Sequence, residues 1–488
     1  MRAAIPLSRL AAAAAVVAAV ACATNPATGR RDLMLVSEEQ EIALGRQEDA
    51  KATASYGEYP ERALREYVAA LGGKVAERSE RPQLPWSFRV ADDAAVNAFA
   101  APGGFLFVTR GILAHLDSEA ELVMVLGHEV GHVTARHLAR QLSTQQLASL
   151  GLGVGMVLVP ELQRYGGLGQ AGLGLLFLKF GRDDEREADE LGLRYSLRLD
   201  YDPARGARAF RMLDQLAQRS PGGRMPAWLS THPDPGDRYR SLVAAIQSGG
   251  LKGSLVGREG YLKRLDGLAY GDDPREGFFR GQTFYHPGMR FRVALPPGYR
   301  GQNTKQAVLG ASPDGDAVVQ LTLAKESTPE AAARAFLSAN GLAGSGGRAA
   351  DFGGRPGVLV GFEGVSGRTR LRGVAAFVRH EDRTFRLIGY AAAADWARLG
   401  DTLGRAVTSF APLRESWALQ AEPRRIAVVS PERDMTLAEF GARYPSTVPD
   451  ATVALLNGLE PGGTLKAGQL AKRVVGGRGL EPGPDRVD

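Results

Sequence analysis

Residues 127–137 read GHEVGHVTARH, and the HExxH pattern within them constrains the fold more than any other feature of the chain. His128 and His132 are four residues apart, so an α-helix through this segment places both imidazoles on nearly the same face, one turn apart. Two imidazoles in that arrangement can bind one Zn²⁺, and Glu129 beside them can take a proton from a water molecule. The pattern alone fits either a metal site or an amphipathic helix that carries two unrelated histidines.

The flanking residues predict this helix and favour the metal site. Ser118 and Glu121 have the spacing of a capping box, and apolar residues follow at helical intervals. The run LVMVLGHEVG is apolar enough to be largely buried, and a buried histidine needs a polar partner, which a metal provides. Four of the seven histidines of the chain lie between positions 115 and 137.

A catalytic zinc ion usually has a third protein ligand and leaves its fourth position to water. The metzincin pattern HExxHxxGxxH is excluded, because Ala135 and Leu138 occupy the positions that require glycine and histidine. His137 lies about 140° round the helix from His132, so it is expected to point elsewhere as a polar or supporting side chain.

A better third ligand lies downstream, in FGRDDEREADELGLRYS at 180–196. Glu185 and Asp189 stand at i and i+4 on a predicted second helix. Glu185 could bind zinc while Asp189 accepts the spare imidazole N–H of a ligand histidine and so fixes the orientation of the ring. In isolation, this acidic segment also fits a solvated helix face.

Several motifs between residues 22 and 245 resemble, in order, those of the zinc metallopeptidase family that includes HtpX, the CAAX prenyl proteases and the periplasmic BepA-type enzymes. The matching segments are CATNPATGRRDLMLVSEEQEIALG (22–45), NAFAAPGGFLFVTRGIL (97–113), GHEVGHVTARH (127–137), EREADELG (185–192) and STHPDPGDR (230–238). The resemblance implies a gluzincin-type site with one Zn²⁺ per chain. The implied roles are metal binding by His128, His132 and Glu185, base catalysis by Glu129, and support of a ligand by Asp189.

The resemblance also implies a role for His232. In BepA-like enzymes the corresponding histidine lies on a loop that can approach the metal. We therefore expect His232 to lie near the zinc, where it either blocks the site in a resting state or stabilises the oxyanion once the loop moves, gating being the favoured role. The alternative is a turn residue that helps to start the next helix.

FLFVT, at 105–109, follows a Pro-Gly-Gly turn and predicts a short strand before the histidine helix. As an edge strand beside the metal, it could pair with an extended peptide and present that peptide to the zinc. An ordinary core strand is an equally weighted alternative. Asn97 precedes the strand and is a further candidate, which would contact substrate or hold the adjacent turn. The predicted substrate-binding residues are Asn97, Phe105, Leu106, Phe107 and Val108.

The first residues predict export. Arg2 and Arg9 precede the stretch AAAAAVVAAV, which has the length of a signal-peptide core and is too short for a permanent membrane span. Residues 1–21 are therefore predicted to be a signal peptide. Cys22, the sole cysteine, stands where a bacterial lipoprotein would be cleaved and lipidated; a plain signal peptide is the alternative. The predicted location is the bacterial cell envelope, in the periplasm as an outer-membrane lipoprotein.

The rest of the chain predicts an α+β protein of several parts. The glycine-interrupted apolar runs at 147–160 and 165–181 are predicted to be helices under the site or a mobile lid. The predicted parts are a mainly helical zincin domain with a small edge-stranded sheet (22–250), a linker (251–280), an α+β accessory domain with an antiparallel sheet (281–413), a linker (414–431), a LysM-like module (432–477) that would bind peptidoglycan, and a disordered tail (478–488).

The resemblance implies a zinc endopeptidase that hydrolyses unfolded or misassembled envelope proteins, including outer-membrane proteins. The alternative is a chaperone or assembly factor without proteolytic activity, in which zinc is structural. The presence of Glu129 argues against that alternative, because a structural zinc site does not need this carboxylate. The net charge of +6 is spread over many residues without a dense basic cluster, so nucleic acid is not expected as a partner.

Overall fold

The computed structural model describes residues 22–151, 178–219, 227–338, 342–344, 346–366, 369–460 and 462–480. The predicted signal peptide, most of the apolar runs between the two site helices and the end of the predicted tail lie outside the described residues. The described chain forms two compact units, one built from residues up to 268 together with 426–474, and one built mainly from 269–425. In the part of the chain that is described, no helix is both long and apolar enough to cross a membrane.

The first unit is mainly helical up to residue 268. It begins with an antiparallel hairpin and contains a small three-stranded sheet. Its strands are β1 (Cys22–Thr24), β2 (Arg31–Leu33), β3 (Ser87–Ala91), β4 (Ala98–Ala101) and β5 (Phe105–Thr109). Its helices are α1 (Glu38–Tyr56), α2 (Arg62–Glu77), α3 (Arg110–His115), α4 (Glu119–Thr134), α5 (His137–Gly151), α6 (Arg182–Arg198), α7 (Pro203–Gly206), α8 (Arg208–Gln218), α9 (Ala227–Thr231), α10 (Pro235–Ser248) and α11 (Arg258–Leu265).

The strand order in the small sheet is β3–β5–β4, so β5 is the central strand. It pairs in parallel with β3 and antiparallel with β4, and all five of its residues are buried. The prediction of Phe105–Val108 as an edge strand for substrate is therefore wrong, because neighbouring strands already use both of its hydrogen-bonding edges. Its uninterrupted apolar run is that of a strand covered on both faces.

The predicted histidine helix is α4, and it begins where the capping pattern places it. The Ser118 side chain accepts a hydrogen bond from the Glu121 backbone N–H. The helix packs closely against α6, because glycines face each other across the contact. A Cβ atom added to Gly127 would lie 3.0 Å from Cα of Gly192, and one added to Gly192 would lie 2.9 Å from the His128 nitrogen. This close approach brings the two predicted site helices together.

The segment 251–280, predicted to be a linker, contains α11. Tyr261, Leu262 and Leu265 of this helix are buried, and the Tyr261 hydroxyl donates to the carbonyl of Leu113. The prediction of a loose connection is wrong, because these apolar residues have helical spacing and bury one face of a helix.

The second unit is an α+β structure with antiparallel strands. One sheet has the order β10–β11–β12–β17–β16–β15–β13, with β14 also paired to β15, and the other has the order β18–β9–β8–β7. A core that includes Phe284, Phe291 and Phe385 fills the interior. The strands are β6 (Ala269–Tyr270), β7 (Phe278–Arg280), β8 (Thr283–His286), β9 (Phe291–Ala294), β10 (Arg300–Asn303), β11 (Ala307–Ala311), β12 (Ala317–Leu323), β13 (Leu342–Gly344), β14 (Arg348–Asp351), β15 (Pro356–Ser366), β16 (Thr369–His380), β17 (Arg383–Ala392) and β18 (Ala411–Pro412). The helices are α12 (Pro329–Leu337), α13 (Trp396–Val407) and α14 (Ser416–Leu419).

The C-terminal residues contain two helices and a closing strand. The first and last strands of this segment, β19 and β22, are neighbours in one sheet. The segment 414–431, predicted to be a linker, instead holds α14 and β19. The elements are β19 (Arg424–Val429), β20 (Met435–Thr436), α15 (Leu437–Arg443), α16 (Asp450–Leu456), β21 (Thr464–Leu465) and β22 (Ala471–Gly476).

Lys472 fixes this C-terminal segment to the helical part of the first unit. Its side chain is fully buried, and Nζ donates to the carbonyls of Ala114, at 2.9 Å, and Leu116, at 2.5 Å. Burial lowers the pKa of Lys472 to about 8. These two carbonyls directly precede α4, so the end of the chain supports the start of the histidine helix.

Candidate metal centre

Four buried side chains meet where α4 and α6 lie beside the end of α9. His128 and His132 come from α4, Glu185 comes from α6, and His232 directly follows α9. One ligand atom from each of the four lies within 4.8 Å of all the others. The structure thus brings together the three predicted zinc ligands and the predicted gating histidine.

The donor set fits a zinc ion. Imidazole nitrogen and carboxylate oxygen are ordinary zinc ligands, and three imidazoles with one carboxylate can complete a tetrahedral site. His128 Nε2 and His132 Nε2 face each other at 3.0 Å, and Glu185 Oε1 lies 3.4 Å from the latter. Burial lowers the pKa of both imidazoles well below the ordinary value for histidine, so both are neutral, the form that binds a metal.

Asp189 and Arg238 hold the ligands from behind. Asp189 Oδ1 lies 2.9 Å from His128 Nδ1, the position expected for the acceptor of the spare ring N–H. The Arg238 guanidinium donates to both oxygens of Asp189 and forms an ion pair with Glu185 at 2.5 Å. Its guanidinium carbon lies 4.5 Å and 4.7 Å from the ring centroids of Phe210 and Trp228, respectively. Arg238 therefore sets the distance between the two carboxylates.

Glu129 lies beside the cluster rather than within it. Its side chain is buried, and Oε1 is 3.6 Å from His232 Nε2. Burial raises the pKa of Glu129 to about 7. A carboxyl group with that pKa can accept and return a proton near neutral pH, which is the property required of a general base.

His232 occupies the remaining side of the cluster. Its Nδ1 lies 2.9 Å from Glu185 Oε1 and 3.3 Å from His128 Nε2. The Trp228 ring stacks on the imidazole of His232 with a centroid distance of 4.6 Å, and the Trp228 backbone N–H donates to the Val96 carbonyl at 3.3 Å. The segment that carries His232 is therefore anchored beside the start of β4.

Phe180 packs against both His132 and His232. Its ring stacks on His132 at 4.0 Å, and its backbone N–H donates to the carbonyl of Thr231. A small cleft next to this ring is lined by His132, Phe180 and residues of β4 and the turn after it, including Ala100 and Ala101. The outer strand nearest the cluster is thus β4, and not the predicted β5.

Asn97 lies at the start of β4 and is buried. Its backbone N–H donates to the Thr109 hydroxyl at 3.1 Å, and its carbonyl accepts from the Thr109 backbone N–H at 3.0 Å. These backbone bonds extend the pairing of β4 and β5 at the end away from the connecting turn, so the predicted hold on the adjacent turn stays a prediction. Contact with substrate stays a prediction.

His137 does not point away from the metal ligands. Its Nδ1 lies 2.8 Å from His132 Nδ1. The prediction assumed one continuous helix, but α4 ends at Thr134, and Arg136 adopts a left-handed conformation with φ of 57° before α5 begins. The turn directs the His137 ring back towards the site. The positive φ at an arginine gave no signal in the sequence.

The helix-borne histidine pair, the glutamate from a second helix and the adjacent buried glutamate form the arrangement of a gluzincin-type zinc site. Residues 62–246 match the profile of Peptidase family M48. This segment is similar to that family, in agreement with the resemblance found in the sequence.

Curated relatives agree with this assignment. The chain is 32% identical over 216 residues to a beta-barrel assembly-enhancing protease of Yersinia pestis, covering 42% of this chain and 43% of that protein. It is 31% identical over 185 residues to the protein of that name from Escherichia coli, covering 36% and 37%. It is 34% identical over 173 residues to the mitochondrial metalloendopeptidase OMA1 of Arabidopsis thaliana, covering 35% and 33%. The chain therefore spans less than half the length of these relatives.

Solved structures add no argument about function. The solution structure of a PsbP protein from Synechocystis covers 27% of this chain and 91% of that chain, with 13% identity and a TM-score of 0.23. A likeness of this size carries no conclusion.

Proposed function

We propose that the chain is a zinc-dependent endopeptidase of the bacterial cell envelope that hydrolyses unfolded or misassembled envelope proteins. The observation that carries the proposal is the convergence of His128, His132 and Glu185, with Glu129 buried beside them. Two relatives are named beta-barrel assembly-enhancing proteases, which supports outer-membrane proteins as the substrate class. A lipid anchor at Cys22 and attachment to the outer membrane are part of the proposal and rest on the signal-peptide pattern.

The residues of the site have separate roles in the proposed hydrolysis. A zinc ion bound by the three ligands would supply a Lewis acid at the scissile carbonyl. Glu129 accepts the proton of the attacking water and returns it to the leaving amine, since its pKa of about 7 suits both transfers. Asp189 and Arg238 keep the ligand side chains oriented through their contacts with His128 and Glu185.

An extended substrate would pair with β4. This strand is the outer strand of the described sheet on the side of the cluster, and Ala100 and Ala101 share a cleft with His132. Addition of a peptide strand there satisfies its backbone hydrogen bonds without reading its sequence, which suits a protease for unfolded chains. The substrate-binding edge is thus reassigned from β5 to β4.

His232 gates this site in the proposal. Its contacts with Glu185 and His128 place it where a water molecule or a substrate carbonyl would have to enter. The Trp228 N–H already uses the Val96 carbonyl, immediately before β4, so α9 obstructs the approach to that strand. Movement of α9 would free the metal and the strand edge together.

Replacement of His232 by alanine is expected to raise the rate of cleavage. The gain should be on the order of tenfold, since one hydrogen bond to a charged group contributes about 1.5 kcal/mol and about 1.4 kcal/mol corresponds to a factor of ten. The measurement is cleavage of an unfolded protein by purified His232→Ala. Ser230→Ala, two residues before His232 and exposed, is the matched control and should behave as wild type. A fall in the rate would assign His232 to catalysis instead.

Metal removal tests the proposed activity as a whole. A chelator should stop cleavage of an unfolded protein, and added Zn²⁺ should restore it. The competing function is a chaperone or assembly factor with a structural zinc. Suppression of aggregation without any cleavage, with or without added zinc, would support that alternative and contradict the protease.

Peptidoglycan binding by the C-terminal segment is a second proposal. A cleft of about 480 Å³ is lined by the start of α15, by α16 and the turn after it, by Gln215 of α8 and by Arg219 directly after α8. Its size suits a short glycan. Co-sedimentation with purified cell-wall sacculi tests this, and Leu437→Asp, which changes the cleft lining, should remove binding. Equal sedimentation of both proteins would contradict the proposal.

A further inference from the structure

The N-terminal hairpin, formed by β1, β2 and the turn between them, reaches a carboxylate near the metal centre. Asn25 is buried, and its Nδ2 donates to Glu187 Oε1 at 3.1 Å and to the Ala135 carbonyl at 3.2 Å. Arg30 donates to Glu187 Oε2 at 2.5 Å. Both oxygens of Glu187 are thus held by one short segment that lies more than a hundred residues away in the sequence.

Glu187 in turn faces His137. Its Oε1 lies 3.8 Å from His137 Nε2, and His137 Nδ1 lies 2.8 Å from Nδ1 of the ligand His132. If His132 binds a metal through Nε2, its Nδ1 must carry the proton and donate a hydrogen bond to His137 Nδ1. His137 then carries its own proton on Nε2, which points towards the negative charge of Glu187. With these tautomers, His132 and His137 share a hydrogen bond, and the 3.8 Å contact between His137 Nε2 and Glu187 Oε1 is a charge interaction.

We propose that the hairpin of residues 22–33 is a positioning element of the metal centre, acting through Glu187 and His137 on His132. Side chains that hold a ligand histidine raise its basicity and fix its ring, and their loss typically weakens metal binding by about 10- to 100-fold. The hairpin begins at Cys22, the predicted site of lipidation. The segment that would tether the chain therefore also supports its metal. This inference rests on the zinc site of the proposed function.

Zinc affinity, measured by competition with a chromophoric chelator on the full chain, tests the proposal without reference to activity. His137→Leu removes both hydrogen-bonding nitrogens and should lower the affinity by about 10- to 100-fold. His137→Gln keeps an acceptor for His132 and a donor for Glu187, so it should retain most of the affinity. A purely structural role would not separate these two variants in this way.

The hairpin itself is tested by Arg30→Ala and Asn25→Ala, together with Glu187→Met, which keeps the length of the side chain and removes the acceptor. Each of these substitutions should lower zinc affinity, as His137→Leu does. The absorption spectrum of each Co²⁺-substituted variant should be shifted relative to that of the Co²⁺-substituted wild type. Arg186→Ala is the matched control, because the side chain of Arg186 is 67% exposed and that of Arg30 is 64% exposed. Within the described part of the chain, the ion pair of Arg186 is with Asp183, on the same helix.

Wild-type affinity in Glu187→Met and Asn25→Ala would overturn the inference, even if His137→Leu failed to fold. An equal loss in Arg186→Ala would overturn it as well, because the effect would then be one of general surface charge. Tight zinc binding by all these variants, with cleavage intact, would leave the proposed peptidase standing and refute only the positioning role. Absence of zinc binding by wild type would refute both.

Discussion

Glu129→Gln should reduce cleavage of an unfolded protein by about 10²- to 10⁴-fold, the usual contribution of a general base, while zinc content stays at the wild-type level. Glutamine has nearly the same shape as glutamate but cannot accept a proton. Glu129 lies beside the ligand cluster and is not one of its four members, so its amide should not displace the metal. The measurements are the rate of cleavage and the zinc content of the same purified sample.

Glu190→Gln is the matched control for this change. Glu190 is exposed on α6, so the same substitution there removes a carboxylate without touching the site. Its rate of cleavage should equal that of wild type. If Glu129→Gln cleaved as fast as wild type, the carboxylate would have no role in the reaction, and the chaperone alternative would become the better description.

His132→Ala should lose zinc almost completely during purification. It removes one of three protein ligands, and we expect a larger effect than the roughly 10- to 100-fold loss that follows removal of a side chain that only supports a ligand. The variant should also unfold at a lower temperature than wild type in the presence of zinc, because a metal that binds only the folded state stabilises it. Metal analysis and thermal unfolding with and without zinc measure the two effects.

His286→Ala separates the loss of a ligand from the loss of any buried histidine. His286 is buried in the second unit and accepts a hydrogen bond from the Met289 backbone N–H. Its replacement should leave one zinc per chain. Equal zinc content in His132→Ala and wild type would show that the four-residue cluster is not the zinc site.

The sequence was sufficient for the part of the site that lies on regular helices. Helical spacing placed His128 and His132 on one face, and Glu185 and Asp189 on one face of a second helix, and the structure brings both faces together. The predicted cap at Ser118 is also present. These inferences succeeded because each depends only on residues a few positions apart.

The predictions that failed depended on tertiary structure. Whether Phe105–Val108 forms an edge or a central strand is decided by which strands lie beside it, and strand order has no local signal. The orientation of His137 is decided by a left-handed residue, Arg136, that ends one helix before the next begins. The positions of Arg238 and Trp228 likewise follow from the packing of α8, α9 and α10 around the site.

Lys472 has a consequence for the order of events in biosynthesis. Its hydrogen bond to the carbonyl of Ala114 joins residues that are 358 positions apart. A contact of that separation cannot form before residue 472 has been synthesised, and it is costly to close early because the intervening loop is long. The start of the histidine helix therefore acquires this support late in folding. We expect a truncated chain that ends before Ala471 to bind zinc less well than the longer chain and to cleave an unfolded protein more slowly.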